Sequence, residues 1–469
     1  MSRATLGPIP PEIAAPRDRA ALSTGIIHFG PGAFHRAHQA AYIDRLLDDD
    51  PRWGVAAVSL RSAGTVAALA AQDGLYTLAI EDREPSLHVI GAHSEFVGPA
   101  DTARLHARLA NPAVALVTAT VTEKGYCLAA DGTLDRDHPD IVADLADLAG
   151  PRSLIGWLVA GLAARRAADI APFVAMPCDN LADNGRKLHA ALVAFARAHN
   201  PALADWIAGE VRVPNTMVDA ITPASDAALY ARVETALGVS DRAAVRREAF
   251  SQWVIEDVGP LGPDLAAAGA VVTGDVGGYE RAKLRILNGA HSALAYLGLL
   301  RGHTTVAEAM ADGELADFVG AMVRAEIVPV LPPVSGLDLT AYASDVFDRF
   351  HNPAIAHRLD QIAQDGSQKL PYRFGDSVLA NLAAGQSAPQ LALAYAGWIA
   401  FLRRRAAAGV EIIDPHAAQL AALVSGTDPV RALADARLGF PALPDHGAFV
   451  ATVTRAIDRD PIGAHLSTP

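Results

Sequence analysis

A lysine, a glutamate, an asparagine and a histidine recur at helical spacing between residues 280 and 291. At about 100° per residue, Glu280, His291 and Asn288 project within one arc of about 140° that begins at Lys283. The residues between them are mostly apolar, so the pattern predicts a buried helix. Because burial disfavours a charged amine, such a lysine can lose its proton near neutral pH. This set suits a general base for an alcohol proton, with Asn288 and His291 holding the substrate oxygen.

Two other interpretations fit the same stretch. Lys283 and Glu280 could form a structural ion pair beside a core histidine. Alternatively, Tyr279-x-x-x-Lys283 has the spacing of short-chain dehydrogenases, in which tyrosine is the acid and base. That pair lies some 250 residues after the glycine-rich turn described below, much later than in that compact fold.

Three polar loops are further candidates for a site. Asn180 follows a predicted strand in the sequence PCDNLADNG, Asp219 lies in PNTMVDAITP, and Glu123 follows another strand in TVTEKGY. Each residue alone is typical of a cap or a turn. Together they predict loops that meet at the carboxyl edge of an open α/β sheet, where ligands bind.

A glycine-rich turn joins the first predicted strand to a helix in the sequence GIIHFGPGAFH. Gly30 permits a tight turn, and Gly32 permits a pyrophosphate to approach the backbone at the start of the helix. We expect Gly30, Gly32, Ala33 and Phe34 to contact a dinucleotide. The third glycine of the usual fingerprint is absent, because His35 stands in its place.

The residue after the second strand bears on the choice of dinucleotide. An acidic residue there would bind the ribose 2′-OH of NAD, but this chain has Arg61 followed by Ser62. Arginine suits the 2′-phosphate of NADP. NAD is the expected cofactor, with NADP left open.

Short apolar runs and helical stretches alternate in the first half of the chain, which predicts parallel βαβ units. The fold class is therefore α/β, with a Rossmann-like doubly wound domain at residues 1–278 and a mostly helical substrate-binding and catalytic domain at 279–469. The predicted strands are Gly25–Phe29, Val55–Leu60, Ala115–Val121 and Pro172–Met176, and the predicted helices are Ala37–Leu47, Thr65–Ala71 and Gly156–Ala168. Breaks in the helical half are expected at Pro329–Gly336, Asn352–Pro353, Gly366–Pro371 and Gly385–Pro389.

Composition excludes several classes of protein. With 39 Lys and Arg against 52 Asp and Glu, the net charge is −13, which does not suit a nucleic-acid binder. Two cysteines cannot form a disulfide scaffold or a zinc site of four cysteines. The apolar stretches Leu154–Ala164 and Leu391–Leu402 are too short to span a membrane and predict buried helices. We expect a cytoplasmic protein, monomeric or a small homo-oligomer, with a small-molecule substrate.

Taken together, these motifs resemble the polyol-specific long-chain dehydrogenases, the family of mannitol 2-dehydrogenase and fructuronate reductase (D-mannonate oxidoreductase). The resemblance covers residues 25 to 400 and rests on HFGPGAFHRAHQAAY, TVTEKGYC, PCDNLADNG, PNTMVDAITP, QWVIED, KLRILNGAHSALAYLG and DGSQKLPYR. It implies an NAD(P)-dependent enzyme that interconverts a secondary alcohol and its ketone without a metal ion.

The same resemblance implies a role for each matching residue. Lys283 is then the general base, Asn180 and Asn288 form the pair that holds the oxyanion, and His291 orients the substrate. Asp219 matches a position that contacts the substrate. Glu123 and Glu280 match glutamates linked to proton transfer and solvent access near the base.

Two positions bear on the substrate. The family usually has arginine after the aspartate of TMVDRI, where this chain has Ala220, and this difference removes a cation near the substrate region. Lys369 and Arg373 in DGSQKLPYR are closer to the fructuronate reductase branch and would suit a substrate carboxylate. The expected substrate is a hexuronate and aldonate pair, with a ketose and polyol pair as the alternative. A nucleotide or sugar sensor on the same scaffold is the non-enzymatic alternative.

Overall fold

The structure is a computed structural model that describes residues 1–14, 22–443 and 447–458. The chain divides into two compact units, residues 1–276 and 277–469. The division predicted after residue 278 lies within the helix that begins at Val276.

The first unit is built around a parallel sheet. In the described part of the chain, the strands are β1 Thr24–Phe29, β2 Gly54–Val58, β3 Tyr76–Glu81, β4 Ser86–Ile90, β5 His93–Val97, β6 Leu116–Ala119, β7 Val174–Pro177, β8 Thr216–Asp219, β9 Val245–Glu248, β10 Gln252–Glu256 and β11 Val271–Thr273. The main sheet has the order β5-β2-β1-β6-β7 with every pair parallel. Numbered along the chain within this sheet, the order is 3-2-1-4-5, as expected for a Rossmann half with its switch point beside β1. The orders β11-β10-β8 and β4-β3-β9 form two smaller sheets.

Helices cover both faces of the main sheet. Those of the first unit are α1 Ala33–Ala37, α2 Gln39–Leu46, α3 Gly64–Ala70, α4 Thr102–Leu109, α5 Pro139–Ala146, α6 Leu154–Ala167, α7 Asn184–His199, α8 Pro201–Glu210 and α9 Ala227–Leu237, with 3₁₀ turns at Pro51–Trp53 and Glu123–Tyr126. Along β1, Ile27 and Phe29 pack in the core beneath α4, α6, α7 and α8, and Ile26 packs in the core on the opposite face. This alternation follows from the period of two along a strand, and burial on both faces explains the apolar runs in the sequence.

The predicted elements of this unit are largely confirmed. All four predicted strands are present in the main sheet, within a few residues of the expected bounds. The predicted helix Ala37–Leu47 is wrong at its start, because the chain forms α1 and α2 with a break at His38, where φ is −118° and ψ is −89°. The edge strand β5 was not predicted, since its alternating polar residues give no continuous apolar run.

The chain from residue 276 onward is helical in its described parts. Its α-helices are α10 Val276–Ala282, α11 Gly289–Arg301, α12 Val306–Ala311, α13 Gly313–Met322, α14 Leu339–Phe350, α15 Leu359–Ile362, α16 Gly366–Leu370, α17 Asp376–Ala383, α18 Pro389–Ala407, α19 Ala417–Val424, α20 Pro429–Asp435 and α21 Gly447–Asp458. The π-helical segments Lys283–Asn288, Val323–Ile327 and Pro371–Gly375 continue preceding α-helices, and Val328–Val330 is a 3₁₀ turn.

One predicted break in the second unit is wrong. The expected loop at Gly366–Pro371 is helical, and α16 continues through the π-helical segment into α17. Proline lacks an amide hydrogen and displaces the carbonyl four residues earlier, so it usually ends a regular helix. A wider π turn that begins at Pro371 is one of the distortions that accommodates this.

The two most apolar stretches form buried helices, as predicted. They are α6 and α18, whose central residues are almost all buried. None of the helices described combines the length and hydropathy that crossing a bilayer requires.

Candidate active site

The glycine-rich turn lies between β1 and α1. Gly30 has a φ of +85°, and a Cβ on it would lie 2.2 Å from the carbonyl oxygen of Thr120. Only glycine avoids both the strain and the clash. A Cβ at Gly32 would instead meet only the Gly30 carbonyl, at 4.0 Å. Gly32 directly precedes α1 and has no side chain to cap it, so the first amides of the helix lack that partner.

Beneath this turn is a cluster of three buried histidines, His28, His35 and His93. His28 lies between Thr118 Oγ1, at 2.7 Å from Nδ1, and the Gly30 carbonyl, at 3.2 Å from Nε2. Its ring stacks on His35, with centroids 3.4 Å apart, and His35 Nε2 lies 3.1 Å from His93 Nε2. Burial lowers the pKa of His28 and of His93 to about 3 and that of His35 well below its ordinary value. All three are therefore neutral at physiological pH.

Arg61 lies beyond β2, at the edge where the sequence analysis placed it. Its guanidinium is mostly exposed and lies 3.3 Å from the Asp140 carboxylate. Both residues line a cavity of about 480 Å³, together with Arg152 and Asp101. The cavity thus presents two cations and two carboxylates, and this balance leaves the choice between NAD and NADP open.

Two of the predicted polar loops lie at the carboxyl edge of the main sheet. The turn that contains Glu123 follows β6, and Asn180 follows β7 and is exposed. Because β1, β6 and β7 are adjacent and parallel, the structure brings Gly30, Glu123 and Asn180 to one edge. Asp219 is instead the buried last residue of β8 in another sheet.

A hydrogen-bond network joins the loop after β7 to the chain before β8. The Asn184 side chain accepts from the Thr216 amide at 2.9 Å and donates to the Thr216 carbonyl at 3.1 Å. The Asn215 side chain accepts from the Gly185 amide at 2.9 Å, and the Asn215 amide donates to Glu256 at 2.8 Å. Asn184 and Asn215 therefore hold the two loops together. Their spacing in the sequence did not distinguish this structural role from a catalytic one.

In the second unit, Lys283 and Asn288 are the first and last residues of a π-helical segment, not part of the regular α-helix that was expected. The hydrogen bonds of a π-helix join residues five apart, so its turn is wider than that of an α-helix. Because Lys283 and Asn288 are five residues apart, the angle between their side chains around the helix axis is smaller than the 140° predicted for an α-helix. Both side chains are half-buried, as is that of Glu280, three residues before Lys283.

His291 follows on α11 and is buried. Its ring stacks on Phe350, with centroids 4.2 Å apart, and is perpendicular to that of His357. Burial lowers its pKa well below the ordinary value, and the nearby His357, Arg349 and Arg373 lower it further. Within the described residues, its buried Nε2 has no hydrogen-bond partner. A buried nitrogen of this kind suits a contact with a ligand oxygen.

Arg373 approaches the same helix from the π-helical segment Pro371–Gly375. Its guanidinium donates to Ser292 Oγ at 2.8 Å. Its backbone also packs closely, since a Cβ on Gly289 would lie 3.2 Å from the Arg373 carbonyl oxygen. No carboxylate in the described part of the chain forms an ion pair with Arg373. Lys369, in contrast, donates to the Gln364 carbonyl at 2.8 Å and lies 3.4 Å from Asp365.

Tyr279 is buried, and its hydroxyl donates to the Ser335 carbonyl at 3.1 Å. The second unit thus brings Lys283, Asn288, His291 and Arg373 to one helix and its neighbour, and it gives Tyr279 a structural contact. Sequence reasoning missed Arg349, Phe350 and His357 because these residues lie far from the recognised motifs.

Family models match nearly the whole chain. The mannitol dehydrogenase Rossmann domain matches residues 24–266, and the mannitol dehydrogenase C-terminal domain matches residues 275–459. The chain belongs to the mannitol dehydrogenase family. Members of this family are oxidoreductases that act on secondary alcohols, so the expected fold class and enzyme class are confirmed.

Similar members of the mannitol dehydrogenase family include both expected branches. The chain is 40% identical to D-mannonate oxidoreductase of Escherichia coli (strain K12) over 94% of its length and 93% of that relative. It is 37% identical to mannitol 2-dehydrogenase of Phaeosphaeria nodorum over 94% of its length and 80% of that relative.

Two solved structures are similar throughout. The ternary complex of Pseudomonas fluorescens mannitol 2-dehydrogenase with NAD and D-mannitol has a TM-score of 0.83 at 37% identity, and the match covers 98% of this chain and 97% of that one. Substrate-free D-sorbitol dehydrogenase has a TM-score of 0.90 at 30% identity, with the same coverage of each chain.

Proposed function

We propose that this protein is an NAD-dependent dehydrogenase of sugar acids that interconverts D-mannonate and fructuronate. The observation that carries the choice of a sugar acid is Arg373, a half-buried guanidinium beside the helix of Lys283 and His291, with no ion-pair partner in the described chain. The similarity to D-mannonate oxidoreductase supports the same choice.

Residues of the glycine-rich turn fit a dinucleotide. The space at Gly32 and the uncapped first amides of α1 suit a pyrophosphate, and Ala33 and Phe34 begin that helix. NAD, when bound, accepts or returns a hydride at its nicotinamide ring. Arg61 follows β2 and lies beside Asp140, where the ribose of a bound dinucleotide would be expected. Because arginine suits a 2′-phosphate, NADP is a second candidate cofactor.

Lys283 is assigned the role of general base, which accepts the proton of the substrate hydroxyl. Asn288 donates to the oxygen as negative charge develops there, and His291, held neutral by burial, places its Nε2 toward the same oxygen. We assign Asn180 to this oxygen as well and Asp219 to another substrate hydroxyl. Carboxylates near the base can pass its proton to solvent, the role assigned to Glu280 and Glu123.

The charge on Arg373 suits a substrate carboxylate. Burial lowers the pKa of this guanidinium, but arginine remains protonated at physiological pH. No carboxylate in the described residues forms an ion pair with this partly buried charge, and Asp365 acts on it only from beyond ion-pair distance. A bound carboxylate would reduce the cost of burying the charge through a bidentate contact. Lys369 is the second assigned contact, although Asp365 already offsets part of its charge.

A polyol and ketose pair is the second candidate substrate, as in mannitol 2-dehydrogenase. The similarity to the mannitol complex favours it, since that structure covers 98% of this chain. A nucleotide or sugar sensor is less well supported, because binding alone does not require a titratable base such as Lys283. The hydrogen bond from Tyr279 to Ser335 counts against a tyrosine acid and base.

The test is a matrix of NADH and NADPH against fructuronate, tagaturonate, fructose and other ketoses. We expect the highest kcat/KM with NADH and fructuronate. Arg373→Gln should remove the preference for the acid and leave the rate with fructose, which lacks a carboxylate, within about threefold. A higher kcat/KM with fructose than with fructuronate in the unaltered enzyme would overturn the proposal, and nucleotide binding without any turnover would favour the sensor.

A further inference from the structure

A buried hydrogen bond joins two of the loops at the carboxyl edge of the main sheet. The Tyr126 hydroxyl donates to Asp179 Oδ2, and both side chains are buried, with Tyr126 fully inaccessible. Tyr126 is the last residue of the turn that begins at Glu123, and Asp179 directly precedes Asn180. The contact therefore connects two loops that each contain a residue assigned to the site.

Both sides of this hydrogen bond are firmly held. The other carboxylate oxygen of Asp179 accepts from the Leu181 amide at 2.9 Å, so a hydrogen bond joins the residues on either side of Asn180. Tyr126 packs in the core beneath α6. Burial and the adjacent carboxylate raise the pKa of the phenol well above its ordinary value, which keeps it a donor at every physiological pH.

The same loop also contacts the glycine-rich turn. The Thr120 carbonyl lies where a side chain on Gly30 would be, and Thr120 Oγ1 donates to the Cys178 carbonyl at 3.2 Å. Residues 120–126 thus link the turn after β1 to the loop after β7. Near Asn180, the link consists of the Tyr126 and Asp179 side chains.

Resting on the proposed function, we propose that the hydrogen bond from Tyr126 to Asp179 is a positioning contact that holds Asn180 where it meets the substrate oxygen. Asn180 is exposed and lies in the irregular segment between β7 and α7, directly after Asp179. A hydrogen bond to a charged, buried acceptor is among the stronger ones in proteins. Neither Tyr126 nor Asp179 needs to contact the substrate for this role.

The test replaces one hydroxyl and measures separate kinetic constants. In Tyr126→Phe, kcat/KM for the carbonyl substrate should fall about 30-fold, because a displacement of about 1 Å at a reacting centre can cost about 100-fold. The KM for NADH should change by less than about threefold. Tyr42→Phe is the matched control, since the Tyr42 hydroxyl is also a buried donor, to the Ser251 carbonyl at 3.0 Å. The melting temperature of both variants reports general destabilisation.

A double-mutant cycle distinguishes positioning from a loss of stability. Asp179→Asn should lower kcat/KM similarly, and the double variant with Tyr126→Phe should be no worse than either single variant, because the same contact is lost. Multiplicative losses, or kinetics of Tyr126→Phe equal to those of Tyr42→Phe, would overturn the inference while leaving the proposed function intact. An unaltered enzyme that turns over no sugar acid or polyol would instead overturn the function.

Discussion

Protonation of the buried histidines beneath the glycine-rich turn should destabilise the protein well above the pH at which its carboxylates titrate. The pKa of His28 and of His93 is lowered to about 3 in the folded state, against 6.5 as the ordinary value. The unfolded chain binds these protons first, so the stability is fully present above pH 6.5 and declines as the pH falls.

The magnitude follows from this shift. For each unit by which the pH falls between about 6.5 and 3, each histidine lowers the unfolding free energy by about 1.4 kcal/mol. At pH 5 the loss is about 2 kcal/mol for each, or about 4 kcal/mol for His28 and His93 together, and His35 changes in the same direction. That is a large part of the 5–15 kcal/mol typical of a folded domain.

The assay is urea unfolding between pH 7 and 5, followed by tryptophan fluorescence. Four of the five tryptophans lie in the first unit, so the signal reports mainly on the part of the chain that contains these histidines. In His93→Gln, the dependence of unfolding free energy on pH should decrease by about 1.4 kcal/mol per unit. His199→Gln, which replaces an exposed histidine of the same unit, controls for the loss of one imidazole. An unaltered slope in His93→Gln would refute the reasoning.

Three further perturbations test the site. Lys283→Met should lower kcat by about 1000-fold or more, because the general base is lost. In the unaltered enzyme, the oxidation rate should rise with pH, and a rate independent of pH would contradict the assignment of a base. Gly30→Ala should raise the KM for NADH at least tenfold, since its Cβ would lie 2.2 Å from the Thr120 carbonyl, and an unchanged KM would show that the turn does not bind the cofactor. Tyr279→Phe should retain most of its turnover, although it loses the hydrogen bond to Ser335. Complete inactivation would instead support the tyrosine mechanism.

Local patterns were sufficient for four of the five strands of the main sheet. Ile26, Ile27 and Phe29 form an apolar run interrupted by His28, because β1 is buried on both faces, and a run of this kind is visible without a structure. The edge strand β5 was missed because its residues alternate between buried and partly exposed. The helix was wrongly predicted to break at Pro371, because the sequence does not show that a wider π-helical turn can accommodate a proline there.

The sequence by itself determined the family, the glycine-rich turn and the residues that could carry the chemistry, because residue type and spacing are local properties of the chain. Only the tertiary structure decided which polar residues lack a partner. Arg373 has no ion pair and His291 Nε2 has no hydrogen bond within the described residues, whereas the side chains of Asn184 and Asn215 form hydrogen bonds that join two loops. The physical reason is that the cost of burying a polar group depends on contacts between residues far apart in the chain, which no local pattern contains.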